Sequence, residues 1–198
     1  MNENHTLSLG IDVGSTTVKV VLRLGEDILF EEYQRHMSQV RQKTLELLGR
    51  AAVLIGERPF AAALSGSAGL GLAESIGLPF VQEVFATGEV VKRLEPDTSA
   101  VIELGGEDAK IIFFDGGMDE RMNGSCAGGT GAFIDQMATL LNVTADEMDE
   151  LSLRHQRIYP IASRCGVFAK TDIQPLLNQG ANKEDVASPA MVWFTTAW

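Results

Sequence analysis

Alternating hydrophobic and polar residues predict three short strands near the start of the chain. They cover residues 7–13, 18–24 and 27–33, and short polar turns separate them. Consecutive strands joined by such turns pair as an antiparallel meander. Apolar residues then recur at helical spacing from about Ser38 to Ile55, which predicts a long amphipathic helix. The buried face of this helix is expected to carry Val40, Thr44, Leu47, Leu48, Ala51 and Leu54.

The remainder of the first half predicts one more strand and two short helices. The strand covers residues 60–64, and the helices lie around residues 70–76 and 83–94. The turn-forming segment 95–99 then interrupts the pattern and gives the best domain boundary. We therefore predict an α/β chain of two lobes, with the first lobe at residues 1–96 and the second at 97–198.

The second half repeats the opening of the first half without a gap. Residues 102–112 (IELGGEDAKII) align with residues 11–21 (IDVGSTTVKVV). Backbone N–H groups of two opposed turns can clamp a polyphosphate, and nearby carboxylates can hold Mg²⁺ through its waters. The repeat therefore predicts two related lobes that offer turns to a shared cleft. Three pairs of residues coincide in this alignment: Asp12 with Glu103, Gly14 with Gly105, and Lys19 with Lys110.

A glycine-rich segment, residues 123–131 (NGSCAGGTG), surrounds one of the two cysteines. Apolar residues at helical spacing follow it, so the segment precedes a helix N-terminus, where backbone N–H groups and the helix dipole favour anions. Cys126 lies just before this helix, and Cys165 lies just before a second predicted helix. Positive potential at both places stabilises thiolates. From the residues alone, buried structural cysteines, a redox pair and metal ligands all stay open.

Composition narrows the class of protein. The chain has 198 residues and a formal net charge of −11 at pH 7. An excess of acidic groups argues against non-specific binding to nucleic acid or to anionic membranes. The N-terminus lacks the pattern of a signal peptide, so we expect a cytoplasmic protein. In that compartment cysteines more often bind metal or do redox work than form structural disulfides.

Four motifs follow one another along the chain, at residues 10–17 (GIDVGSTT), 102–108 (IELGGED), 123–131 (NGSCAGGTG) and 164–168 (RCGVF). Together they resemble the activator ATPases of 2-hydroxyacyl-CoA dehydratases and the ATP-binding subunits of benzoyl-CoA reductase. The resemblance implies an actin-like (ribonuclease H-like) ATPase fold, with the second lobe incomplete at its C-terminus. It also implies a homodimer that shares one [4Fe–4S] cluster. The resemblance further implies that ATP hydrolysis drives an electron from a reduced ferredoxin or flavodoxin into a dehydratase partner.

The same resemblance assigns roles to individual residues. Asp12 is expected to hold the waters of Mg²⁺, and Glu107 is expected to orient the attacking water. Cys126 and Cys165 are expected to ligate iron, because a two-fold axis doubles two thiolates to the set that a cubane requires. The residues expected around the nucleotide are Gly14, Ser15, Thr16, Thr17, Lys19, Glu103, Gly105, Gly106, Gly128, Gly129 and Thr130.

Alternative interpretations stay open at this point. A small-molecule kinase of the same superfamily, or a regulatory ATP-binding module, would carry the same phosphate turns. Lys19 and Lys110 can equally be solvated strand residues, and Glu107 an ordinary turn residue. The three histidines show no ligand spacing and are interpreted as surface groups. The adenosine-binding segment of the family is not found, so adenine is expected to bind weakly.

Overall fold

The computed structural model of this protein describes residues 6–122, 130–162 and 166–188. Strands and helices are mixed along the chain, as predicted. The strands are β1 (Leu7–Val13), β2 (Thr17–Leu24), β3 (Asp27–Arg35), β4 (Phe60–Ser65), β5 (Ala100–Leu104), β6 (Ala109–Phe113) and β7 (Asp119–Met122). The helices are α1 (Val40–Ile55), α2 (Gly69–Ile76), α3 (Glu83–Leu94), α4 (Gly131–Leu141), α5 (Ala145–Ser152) and α6 (Gly166–Asn178), and residues 183–188 are also helical.

The first sheet has the strand order β3-β2-β1-β4. The predicted meander is confirmed, because β2 is antiparallel to both β1 and β3, whereas β4 runs parallel to β1. Buried and more exposed residues alternate along β1, so one face of this strand packs in the core together with α1. The buried residues of this core include Leu7, Leu9, Ile11, Val13, Val18, Val20, Leu22, Leu47, Ala51 and Ile55.

The buried face of α1 differs by one position from the predicted face. Thr44, Leu47, Ala51 and Ile55 are buried, but the side chain of Leu54 is 43% exposed, so its predicted burial is wrong. The buried residues follow a step of three from Thr44 to Leu47 and then two steps of four, which end on Ile55 at the C-terminus of the helix. Helical periodicity in the sequence allows either Leu54 or Ile55 on the buried face. In the structure Ile55 is the one that packs into the core.

The second sheet has the order β5-β6-β7, and helices of the second half form a separate apolar core. Its largest buried side chains are Phe133, Met137, Met148 and Ile173. Hydrophobic periodicity did not predict α5, which is short and mostly polar. A capping box marks its start, because Thr144 accepts from the N–H of Glu147 and Glu147 accepts from the N–H of Thr144.

The chain divides into two compact units. Unit 1 contains Met1–Val101 and Ile112–Glu120, and unit 2 contains Ile102–Ile111 and Arg121–Trp198. The predicted lobe boundary near residue 96 stays a prediction. Within the described ranges, none of the helices is both long enough and apolar enough to cross a membrane.

Asp185 ties the C-terminal helical segment of unit 2 to the loop after α5. Its Oδ1 accepts from the N–H groups of Gln156 (2.7 Å) and Arg157 (2.9 Å). These two bonds hold the pKa of the Asp185 carboxyl below its usual value of 3.8, and the bond from Gln156 has the larger effect. A carboxylate whose pKa is lower in the folded protein stabilises the fold above the unfolded-state pKa, and this contribution disappears as pH falls through the folded-state pKa.

Asp185→Asn is therefore expected to lower the unfolding temperature at pH 7, with the difference from wild type shrinking below about pH 4 and vanishing in stronger acid. Circular dichroism melts at stepped pH measure this difference. Glu150→Gln is the matched control, since it removes an exposed carboxylate of α5. A difference that is independent of pH would show that charge plays no part.

Candidate functional site

The first predicted phosphate turn, residues 14–17, joins β1 to β2. The N–H of Gly14 donates to the carbonyl oxygen of Thr17 at 2.9 Å, and Thr17 is buried. Asp12 lies opposite Lys19 in the strand register, with Lys19 Nζ 2.5 Å from Asp12 Oδ2. Lys19 Nζ also lies 5.5 Å from the ring centroid of Tyr33 on β3. The acidic residue and the lysine that the repeat singled out thus form an ion pair beside the turn.

The second carboxylate oxygen of Asp12 has a different environment. Asp12 Oδ1 is buried, and within the described part of the chain it accepts no hydrogen bond. A buried carboxylate oxygen loses its hydration and needs compensation from a donor, a cation or an ordered water. Carboxylates and waters are also the ligands that Mg²⁺ takes in phosphate-binding proteins. The residues present therefore fit the predicted Mg²⁺ site.

Gly66 closes over Asp12 from the end of β4. The parallel pairing of β1 with β4 sets Ser65 opposite Asp12, and the N–H of Ala68 donates to the Val13 carbonyl oxygen at 2.9 Å. Gly66 has φ +94°, and a Cβ there would lie 2.3 Å from the Val13 oxygen and 2.4 Å from Asp12 Oδ1. Only glycine fits this close approach. Sequence reasoning did not identify Gly66 as a site residue, although a Ser-Gly-Ser segment directly after a predicted strand marks such an approach.

The second predicted phosphate turn joins β5 to β6. The N–H of Gly105 donates to the Asp108 carbonyl oxygen at 2.8 Å. Lys110 is buried, and its Nζ lies 3.7 Å from Glu103 Oε1 and 3.5 Å from Asp108 Oδ2. For Lys110 the interpretation as a solvated strand residue is therefore wrong. Glu107 is exposed in this turn.

The two hairpins carry the same interactions at equivalent positions. In each, the turn glycine donates its N–H to the carbonyl oxygen three residues later, and the lysine of the second strand pairs with the acidic residue of the first. They differ in the exposure of the lysine side chain, which is 41% for Lys19 and 4% for Lys110. The sequence repeat therefore corresponds to a repeated local structure.

The N-terminus of α4 is bonded directly to the second turn. The N–H of Gly131 donates to the Gly105 carbonyl oxygen at 2.8 Å, and Thr130 Oγ1 donates to the Gly106 carbonyl oxygen at 3.0 Å. A Cβ at Gly131 would lie 2.9 Å from the Gly105 oxygen, so this contact also requires a small residue. Thr130 was predicted to lie near Gly105 and Gly106, and hydrogen bonds join the start of α4 to both of these glycines.

Several predicted site residues lie outside the described residues: Cys126, Gly128, Gly129 and Cys165. Their roles stay predictions. Across residues 6–122, 130–162 and 166–188, no group of three or more His, Cys, Asp or Glu side chains is gathered for a metal ion.

The interpretation of His36 as a surface group is wrong. His36 is the residue directly after β3. It is only 5% exposed, and its ring contacts the first turn. Sequence spacing gave no indication of this position, because the strand pairing that creates it joins residues 22 positions apart.

Comparisons with known proteins place this chain among relatives. A family model described as the BadF/BadG/BcrA/BcrD ATPase family matches residues 9–192. The activator of lactoyl-CoA dehydratase from Anaerotignum propionicum is 32% identical over 185 residues, which cover 90% of this chain and 71% of that protein. The resemblance inferred from the four motifs is thereby confirmed.

Two solved structures share the fold. Component A of (R)-2-hydroxyglutaryl-CoA dehydratase from Acidaminococcus fermentans matches with a TM-score of 0.82 at 26% identity, covering 96% of this chain and 75% of that one. The activator of 2-hydroxyisocaproyl-CoA dehydratase from Clostridium difficile, solved with bound ADPNP, matches with a TM-score of 0.79 at 27% identity, covering 96% and 72%. These matches confirm the predicted α/β, actin-like ATPase fold, and the chain spans about seven tenths of these proteins' length.

Proposed function

Since the chain belongs to the BadF/BadG/BcrA/BcrD ATPase family, we propose that it is an ATP-dependent activator of a 2-hydroxyacyl-CoA dehydratase or a related reductase. The observation that carries this proposal is the repeated hairpin, in which an acidic residue precedes a glycine turn and pairs with a lysine. The names of the relatives support the dehydratase as partner, because the Anaerotignum propionicum protein is an activator of such an enzyme.

Phosphate binding in this proposal uses the backbone of each turn. In unit 1 the donors are the N–H groups of Ser15 and Thr16, and Lys19 supplies positive charge. In unit 2 the donors belong to the turn that contains Gly105 and Gly106, and Glu107 orients the attacking water. Enzymes that transfer or hydrolyse phosphoryl groups work mainly by positioning and charge stabilisation, which such turns provide.

Asp12 is the residue that we propose for Mg²⁺, held directly or through a water. When bound, Mg²⁺ supplies charge stabilisation to the phosphate oxygens. Two observations support Asp12. Its Oδ1 is buried with no hydrogen bond from the described residues, and its Oδ2 lies 2.5 Å from Lys19 Nζ. The ion pair also keeps the carboxylate in one orientation.

The link from Gly105 and Gly106 to α4 supports a coupling between nucleotide and helix. Because Gly131 and Thr130 bond directly to the turn carbonyls, any shift of this turn on ATP hydrolysis moves the first residues of α4. The residues just before them contain Cys126. We propose that the coupling runs along this short path, and a test requires two nucleotide states with different α4 positions.

Electron delivery is the finer part of the proposal. We propose a homodimer in which Cys126 and Cys165 of both subunits hold one [4Fe–4S] cluster, reduced by a ferredoxin or flavodoxin. The cluster would supply the one-electron carrier. In this proposal ATP hydrolysis drives the transfer of a low-potential electron from the cluster to the dehydratase partner. Sequence position and ligand number support this part, and both cysteines lie outside the described residues.

Iron analysis tests the proposal against the kinase and the regulatory module, which have no use for a cluster. Anaerobically purified protein is expected to be brown and to contain about four iron and four sulfide per dimer. Cys126→Ser and Cys165→Ser are each expected to lose the cluster, because each change removes half of the ligands from the dimer. Wild-type protein that hydrolyses ATP but contains no iron would reject electron transfer and leave the ATPase assignment standing.

A further inference from the structure

His36 connects the end of β3 to the first phosphate turn through both its backbone and its ring. The N–H of His36 donates to the Thr16 carbonyl oxygen at 3.1 Å, and ring Nε2 lies 3.2 Å from the Gly14 carbonyl oxygen. The other ring nitrogen, Nδ1, accepts from the N–H of Ser38 at 3.2 Å. His36 as a whole is 5% exposed, so these contacts replace water at both ring nitrogens.

The contacts of the ring determine which nitrogen carries the proton. Nδ1 accepts a hydrogen bond from a backbone N–H, so this nitrogen has a lone pair and no proton. In the neutral ring the proton is therefore on Nε2, and Nε2–H donates to the Gly14 oxygen. The N–H of Ser38 thus sets the tautomer that the turn requires.

The backbone between His36 and Ser38 is held in an uncommon conformation. Met37 has φ 46° and Ser38 has φ 64°, and both lie in the left-handed region that residues other than glycine rarely adopt. Both side chains are exposed, so their own packing does not explain the conformation. Strained backbone of this kind persists where the surrounding contacts over-determine it, often near functional sites. Here it delivers the Ser38 N–H to the ring.

The two bonds to the turn also orient the donors that face away from His36. A trans peptide unit is planar, with its C=O and N–H groups pointing in opposite directions. Fixing the Gly14 oxygen toward the ring therefore directs the N–H of Ser15 away from it. Fixing the Thr16 oxygen in the same way directs the N–H of Thr17 away from β3. The turn is thereby held from one side while its peptide N–H groups are aligned on the other.

We propose that His36 is a positioning residue for phosphate binding, which holds the turn at residues 14–17 with the N–H of Ser15 ready for a nucleotide phosphate. The phosphate role rests on the proposed function, whereas the hold on the turn rests on the contacts of His36 alone. The residue does not contact the nucleotide in this assignment. Its effect is on affinity for MgATP and not on the chemical step.

Two substitutions separate the ring nitrogens. In His36→Gln the side-chain Nε2 lies as many bonds from Cβ as the histidine Nε2, so it keeps the donor to Gly14. In His36→Asn the side-chain oxygen lies at the distance of Nδ1, so it keeps the acceptor for Ser38 and loses the donor. Loss of one neutral hydrogen bond corresponds to roughly a tenfold change in an equilibrium constant.

The experiment compares MgATP binding by calorimetry with NMR of the ligand-free protein. His36→Asn is expected to raise the Kd for MgATP about tenfold, while His36→Gln stays within about twofold of wild type. In the NMR spectra, the amide resonances of residues 14–17 are expected to move in His36→Asn and to stay in His36→Gln. The wild-type ring is expected to show its proton on Nε2. His155→Asn is the matched control, because His155 is exposed in unit 2.

The outcomes separate the two ideas. The positioning role would be overturned if wild-type, His36→Gln and His36→Asn protein bound MgATP with equal affinity. A wild-type His36 ring with its proton on Nδ1 would overturn it as well. If the turn resonances follow the expected pattern but wild-type protein binds no MgATP, the proposed ATP binding fails and the hold of His36 on the turn stands. Equal melting temperatures of the Gln and Asn variants, measured alongside, show that a difference in Kd is not a folding defect.

Discussion

Asp12→Asn protein is expected to hydrolyse ATP at about one hundredth of the wild-type rate or less, because it loses the charge proposed to hold Mg²⁺. The amide keeps the shape of the carboxylate, so the β1–β2 hairpin and its core are expected to fold normally. Two effects add at this position. The asparagine cannot pair with Lys19, which lies 2.5 Å from Asp12 Oδ2, and its neutral group binds Mg²⁺ poorly. Steady-state hydrolysis against Mg²⁺ concentration measures the loss.

A matched control separates the metal role from the loss of an ion pair. Glu26 accepts from Arg23 at 2.9 Å and also pairs with Arg93, all on the exposed surface of unit 1. Glu26→Gln therefore removes a carboxylate from paired cations without touching the turn, and hydrolysis is expected to stay at the wild-type rate. Iron content is expected to be unchanged in both variants. Simultaneous loss of hydrolysis, iron and helical circular dichroism in Asp12→Asn would indicate misfolding and would remove the support for a metal role.

The repeated hairpins could be predicted because their chemistry is local in sequence. Asp12 and Lys19 are seven positions apart, and two strands joined by a tight turn must bring them together in any fold that contains the hairpin. The same spacing recurs at Glu103 and Lys110, so a single alignment of the chain with itself singled out all four residues, and the structure shows that they form two ion pairs. Local patterns of this kind are dictated by the turn and the strand period, and they do not depend on the rest of the protein.

His36 and Gly66 could not be predicted in the same way. His36 reaches Gly14 because β3 pairs with β2 in a register that ends with Thr17 opposite Arg35. Gly66 reaches Asp12 because β4 joins β1 in parallel after a helical crossover. Registers between distant strands depend on packing of the whole sheet, which a hydrophobic pattern does not specify. The missed helix α5 is different, because the capping box formed by Thr144 and Glu147 was a readable local signal.

Proximity of α4 to the second turn lies between these cases. The sequence placed Gly131 shortly after the second hairpin, and it predicted that the helix start and the turn share a site. It did not predict that the Gly131 N–H donates to Gly105, or that the hydroxyl of Thr130 donates to Gly106. These bonds give the proposed coupling a defined path. Residue 131 is a glycine because a Cβ at this position would lie only 2.9 Å from the Gly105 carbonyl oxygen, which is too close.

Gly66→Ala is expected to abolish measurable MgATP binding and to lower the free energy of unfolding by about 2 kcal/mol or more. The added methyl would lie 2.3 Å from the Val13 carbonyl oxygen and 2.4 Å from Asp12 Oδ1, and neither atom is the end of a long flexible side chain. In addition, φ of +94° is strained for alanine. Relief of the overlap must move either the end of β1 or the Asp12 carboxylate, and both belong to the first phosphate site. Calorimetric titration with MgATP and urea unfolding measure the two effects.

Gly71→Ala is the matched control for this prediction. Gly71 lies in α2, five residues further along the chain, and a Cβ there meets no atom within 4 Å. Replacement of a helical glycine by alanine is expected to raise the free energy of unfolding by about 0.5–1 kcal/mol and to leave the Kd for MgATP unchanged. The same methyl group thus has opposite effects on stability at two nearby positions. If Gly66→Ala bound MgATP as tightly as Gly71→Ala, the close approach of Gly66 to Asp12 would have no part in the nucleotide site.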